Sequence, residues 1–174
     1  MNRSKKLGAI AAATFAVVAV GAYVVTQYVV AQKPSSLSSL PEYPFVGSAY
    51  PIDDVAPPDR ARAEAVLRQF AASVTPGYRP TAERFLASKG DFIWDAVRSS
   101  VGGYLSGASF RIHDVGQTPR SSEDVAFIVW DRANRVQHLF NPRQILAVGL
   151  QDPLRGEPSG DQVHVYAYFE LIPA

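Results

Sequence analysis

The sequence predicts an α+β fold behind a single N-terminal membrane anchor, on three observations. An uncharged, mostly apolar stretch runs from Leu7 to Gln32 behind a basic N-terminus. Helix-spaced apolar residues follow from Asp59 to about Leu105, and strand-like runs joined by short turns fill the remainder. Helices first and strands afterwards argue for helices laid on an antiparallel sheet, not for alternating parallel units. The expected architecture is two or three helices packed on about five strands.

The chain has 174 residues, enough for one compact domain plus an appendage. With 47% hydrophobic residues it is too apolar for wholesale disorder. It has no cysteine, which excludes thiolate zinc sites, iron–sulfur clusters and thiol nucleophiles.

The anchor is the strongest signal. Arg3, Lys5 and Lys6 precede the apolar stretch and only Lys33 closely follows it. A helix rises ~1.5 Å per residue, so ~20 residues cross a ~30 Å hydrocarbon core. Val29-Val30-Ala31 loosely fits a signal-peptide cleavage site, but the run is longer than the ~7–15-residue core of a cleaved signal. Tyr23 and Tyr28 suit a membrane interface. The length favours an uncleaved signal anchor. By the positive-inside rule the N-terminus stays in the cytoplasm and the rest is exported, to the periplasm in a bacterium. Gly8, Ala12 and Ala16 recur every four residues, a spacing that lets a second helix approach closely in lipid.

The expected organisation is therefore a signal anchor over residues 1–32, a tether over 33–57 and an exported domain over 58–174. All 16 acidic residues lie after Gln32, against 14 of the 17 basic ones, so the exported part carries a net charge of −2. It has no basic footprint of a nucleic-acid binder. The tether holds Pro34, Pro41, Pro44, Pro51 and Pro57, with Ser35, Ser36, Ser38 and Ser39 in its first half. Proline removes donors and fixes φ, so its first half is expected to be mobile. Phe45 and Val46 are too apolar for a free linker; they either pack on the domain or dock to a partner.

In the domain, Pro58 opens a helix whose Ala63, Val66, Leu67, Phe70 and Val74 have helical spacing, and Thr75-Pro76-Gly77 ends it. Pro80 to Ser88 is expected as a second, short helix. A third, from Asp91 to about Leu105, repeats Ile93, Val97, Val101 and Leu105 every four residues. Strands are expected at Ser109–Val115, Val125–Trp130, Arg135–Phe140 and Gln144–Leu150. The last strand alternates most cleanly: Val163, Val165, Ala167, Phe169 and Leu171 on one side, His164, Tyr166, Tyr168 and Glu170 on the other.

This order of three helices and a strand meander resembles the cone-shaped folds of cystatin and nuclear-transport-factor type. A single anchor followed by such a domain also resembles the periplasmic bridging subunits of type IV secretion systems. The likeness is architectural and no motif carries it.

Catalytic signatures are sparse. The serine-hydrolase elbow G-x-S-x-G is missing, and Gly103-Tyr104-Leu105-Ser106-Gly107 has the wrong spacing. The sequence has no P-loop, dinucleotide fingerprint or calcium loop. His113, His138 and His164 lie on three predicted strands and lack the close spacing of a zinc motif. Asp91 with Asp95, and Glu123 with Asp124, are paired carboxylates outside any evident apolar pocket.

No catalytic residue, cofactor or metal is therefore assigned. If the helices cover the Val163–Leu171 side, then Tyr166, Tyr168, His164 and Glu170 face outward as a partner-binding surface, joined by Phe45 and Val46. The expected function is a non-enzymatic accessory subunit of a cell-envelope complex, with the membrane and membrane-protein subunits as partners, through self-association or with other chains. The alternatives are a small-molecule sensor with a pocket between Trp94 and the tyrosines, and a hydrolase using histidines and carboxylates.

Overall fold

The computed structural model describes residues 3–32, 37, 40, 49–89, 94–119, 124–150, 154–155 and 162–174. Helix α1 spans Arg3–Ala31. Strand β1 (Ala49–Pro51) and a short 3₁₀ turn (Ile52–Asp54) lead to α2 (Pro57–Val74), β2 (Tyr78–Lys89) and α3 (Trp94–Gly107). Then come β3 (Phe110–Pro119), β4 (Asp124–Arg132), α4 (Arg135–Phe140), β5 (Gln144–Leu150), β6 (Leu154–Arg155) and β7 (Gln162–Pro173). The fold is α+β. Five long strands make an antiparallel sheet in the order β2-β7-β5-β4-β3; β1 extends it beyond β2, and β6 pairs with β7.

The sheet is covered on both faces. On one, Ala63, Leu67, Phe70 and Ala71 of α2 pack against Val129, Leu146, Val148, Val165 and Phe169. On the other, Val97, Val101 and Leu105 of α3 pack against Ile128, Trp130, Ile145, Tyr166 and Tyr168. This corrects the expectation of an outward-facing side of the last strand. The C-terminal strand is not an edge: β7 lies between β2 and β5, and α3 closes the face it shares with the tyrosines. Tyr166 and Tyr168 are both 0% exposed, and their rings meet edge to face at 5.7 Å. An inner strand covered on both sides can alternate cleanly without having a wet face.

Two further expectations change. Pro80–Ser88 is the core of β2, not a helix, and pairs with β7 along most of its length, with a register break between Pro80 and Ala82. Phe85 packs toward α2 and Leu86 is buried toward α3. Adjacent apolar residues suit a strand buried on two faces, and short apolar runs do not distinguish helix from strand by period. Arg135–Phe140 is helix α4, not a strand. The Asn134 side chain accepts the Gln137 N–H at 3.0 Å, which caps a helix start.

Glycine has a specific use at two positions. Gly77 turns the chain from α2 into β2 at φ 83°, a conformation that glycine adopts without a Cβ clash. Gly116 on β3 lies opposite Phe127, where an added Cβ would come within 2.9 Å of the ring.

The residues read as a mobile tether are structured where they are described. Leu37 and Leu40 are buried against the α3 face, and their carbonyls accept from the Arg84 guanidinium at 3.2 and 3.3 Å. Phe45 and Val46 lie outside the described residues.

Because Tyr168 is interior, Tyr168→Ala is expected to cost about 3–5 kcal/mol of unfolding free energy. Chemical denaturation measures this; a change within about 0.5 kcal/mol, typical of surface sites, would contradict the burial.

Candidate functional site: the anchor junction and the α3–β3 cleft

Among the described residues one helix is long and apolar enough to cross a membrane, over Ala12–Ala31 of α1. Ala12 and Ala16 are exposed on it, and Gly8 lies one turn before Ala12 on the same helix. The far end of α1 does not run free into a linker. It is built into the domain.

Arg132, the last residue of β4, is 2% exposed. Its guanidinium donates to three carbonyls from three segments: Ala31 at the end of α1 (3.0 Å), Ala108 after α3 (3.3 Å) and Asn141 after α4 (3.2 Å). The same group lies 4.3 Å over the Phe110 ring. Burial, and next the repulsion of Arg143, lower its pKa to about 10, opposed by Asp131 and Glu170. It stays protonated at neutral pH. A cation at a helix C-terminus also meets the negative end of the helix dipole.

Neighbouring polar groups complete the junction. Asn141 Nδ2 donates to the same Ala31 carbonyl at 3.0 Å. Gln27 Oε1 accepts from Asn134 Nδ2 at 2.8 Å and from Gln137 Nε2 at 2.7 Å. Tyr28 meets Phe140 edge to face at 5.2 Å. Asn134 therefore both caps α4 and grips the anchor.

An open cleft lies elsewhere, between α3 and β3, with a volume of about 510 Å³. Arg98, Arg111 and Asp95 stand at its exposed rim and Trp130 lies at its floor. Trp130 is 1% exposed, and its indole N–H is buried with no hydrogen-bond partner. Gly102 lies next to it; a Cβ there would be 3.6 Å from the indole nitrogen. An orphaned buried donor costs about 1–3 kcal/mol. A smaller groove of about 210 Å³ between α2 and β2 includes the Arg68–Glu83 ion pair.

The sequence-derived site residues separate in space. Tyr166 and Tyr168 are core, which removes them from the partner surface. Glu170 pairs with Arg143 at 3.0 Å, and His164 is half-buried on β7. The pocket expected between Trp94 and the tyrosines is filled: Trp94 packs so close to Gly149 that an added Cβ would lie 3.0 Å from its ring. His113 is on β3, His138 on α4 and His164 on β7, and no group of three metal-ligating side chains forms among the described residues. His138 Nδ1 lies 2.9 Å from Asp131 Oδ1, but no serine, threonine or lysine side chain bonds to this pair among the described residues.

Sequence reasoning missed Arg132, Gln27, Asn134 and Asn141. The signal for α4 was present in Asn134-x-x-Gln137, which fits a helix-start pattern. Nothing local marked Arg132, whose three acceptors come from segments far apart in the chain. Compared with protein families, curated proteins and solved structures, the chain matches none.

Removing the guanidinium while keeping its bulk, in Arg132→Met, takes its donor from the Ala108 and Asn141 carbonyls and leaves the Ala31 carbonyl to Asn141 Nδ2 alone. The loss expected is about 2 kcal/mol or more, at about 1–3 kcal/mol for each of the two carbonyls left orphaned. Arg132→Lys should rescue poorly, because an ammonium lacks the planar fork. Detergent-solubilised full-length protein, unfolded with denaturant, gives the comparison; an unchanged midpoint for Arg132→Met would refute the junction.

Proposed function

We propose that this protein is a single-pass, membrane-anchored accessory subunit of a cell-envelope complex, with its basic N-terminus in the cytoplasm and its α+β domain outside. The observation that carries the reading is the anchor junction. A soluble enzyme or a tethered binding module has no need for its domain to be fused to the end of an apolar helix. A part that must hold other membrane components at a fixed height and angle does.

The exposed edge strand supports a protein-contact role. β3 ends the sheet and pairs with β4 alone among the described strands. Ile112 and Val115 on it are 39% and 46% exposed. A free edge offers unpaired backbone groups to an added strand, so β3 takes the partner-binding role first expected of the Tyr166 side.

Gentle solubilisation of the full-length chain from its native membrane, followed by mass spectrometry, tests the role. A stoichiometric set of membrane subunits is expected, and Ile112→Lys with Val115→Lys should strip them from a folded domain. Recovery of the chain alone contradicts the proposal.

A second reading, a small anionic ligand in the α3–β3 cleft, is favoured by one observation: the orphaned Trp130 N–H at the floor of a cleft with Arg98 and Arg111 at its rim. Neither arginine makes an ion pair among the described residues. With only two tryptophans in the chain, the indole ¹⁵N–¹H resonances serve as reporters. Millimolar inorganic phosphate should shift Trp130 saturably and leave Trp94 in place, and Arg98→Gln with Arg111→Gln should abolish the shift. An unmoved Trp130 resonance removes this reading.

A further inference from the structure

Outside α1, the most exposed large apolar side chain among the described residues is Leu139 of α4, at 78%. Phe140 beside it is 37% exposed. A short helix gains nothing by showing leucine to water, because apolar surface left wet forgoes the stabilisation of burial. What covers them follows from where α4 is held.

The hydrogen bonds from Asn134 and Gln137 fix α4 to Gln27 of α1, and Phe140 packs on Tyr28. Both anchor residues lie within the last turn or so of the apolar segment Ala12–Ala31. Two placements of that helix in a bilayer bracket the position of α4. If the membrane covers Ala12–Ala31, α4 lies at the level of the outermost turn of the span. If it covers the 20 residues from Leu7 to Thr26, which also rise ~30 Å, the boundary falls at Gln27. Either way α4 sits at the membrane interface. Tyr28 in the same cluster is a residue type favoured at that depth, and Arg135 at the start of α4 is exposed, a suitable partner for lipid phosphates.

We propose that α4 is a second membrane contact, a foot whose Leu139 and Phe140 enter the interfacial layer of the lipid bilayer beside the outer end of α1. This rests on the reading of α1 as a membrane span, and it adds the orientation of the domain: the α4 end faces the lipid. The foot and the Arg132 junction then act together. One fixes the domain to the anchor, and the other fixes it to the membrane plane.

The chain has no cysteine, so Leu139→Cys gives a single site for the environment-sensitive fluorophore NBD, and Val115→Cys on β3 gives a control. Full-length protein is reconstituted in phosphatidylcholine–phosphatidylglycerol vesicles, and alkaline extraction is measured on the same samples. The proposal predicts alkali-resistant protein, blue-shifted emission from position 139 quenched several-fold by brominated lipid, and water-like emission from position 115. Alkali-resistant protein with water-like emission at position 139 overturns the foot but leaves the span. A blue shift that brominated lipid does not quench assigns Leu139 to a protein contact and also overturns it. Protein released by alkali overturns the span, and the foot with it.

Discussion

A buried guanidinium at the end of an apolar helix is the constraint on which the arrangement depends. Arg132 ends a central part of the sheet, and its charge must be satisfied where it stands, because an uncompensated buried cation is strongly unfavourable. Its donors reach carbonyls at the end of α1, after α3 and after α4. Those three chain segments therefore converge at one point, and the direction in which α1 leaves the domain is set by the register of β4. The stack on Phe110 fills the remaining face of the group.

The consequence is a domain without a loose neck at the points described. Arg84 repeats the device a few residues further on, gathering the Leu37 and Leu40 carbonyls while their side chains join the core beneath α3. Within the region expected to swing, Leu37 and Leu40 are held by Arg84 and by their own burial. The apolar helix and the folded domain are joined by these bonds, and both faces of the sheet are filled.

Much of this was legible in the sequence. α2 and α3 follow their apolar periods, and Pro58 and the Thr75-Pro76-Gly77 breaker bracket α2. The strands at Val125, Gln144 and Val163 came from β-branched and alternating runs. What was not legible is what covers a strand. Tyr166 and Tyr168 read as outward because alternation separates two sides without saying which is wet, and only the placement of β7 between β2 and β5 decides it. Pro80–Ser88 misled because the adjacent Phe85 and Leu86 pack toward opposite faces of the sheet, and so short an apolar run does not separate helix from strand. The junction was illegible because a polar residue's value there depends on acceptors up to 110 positions away. Proline and serine content described the tether's local stiffness, not its burial of Leu37 and Leu40.

The central claim is that the outer end of α1 and the sheet form one body, and a distance distribution tests it most directly. Spin labels at Val25→Cys on α1 and Val115→Cys on β3, both exposed positions, can be read by pulsed electron resonance in lipid nanodiscs. A single narrow distribution that broadens when Arg132 is replaced by methionine is the predicted result. A broad distribution in the otherwise unaltered protein, insensitive to Arg132, would show a domain swinging on its anchor and would contradict the account.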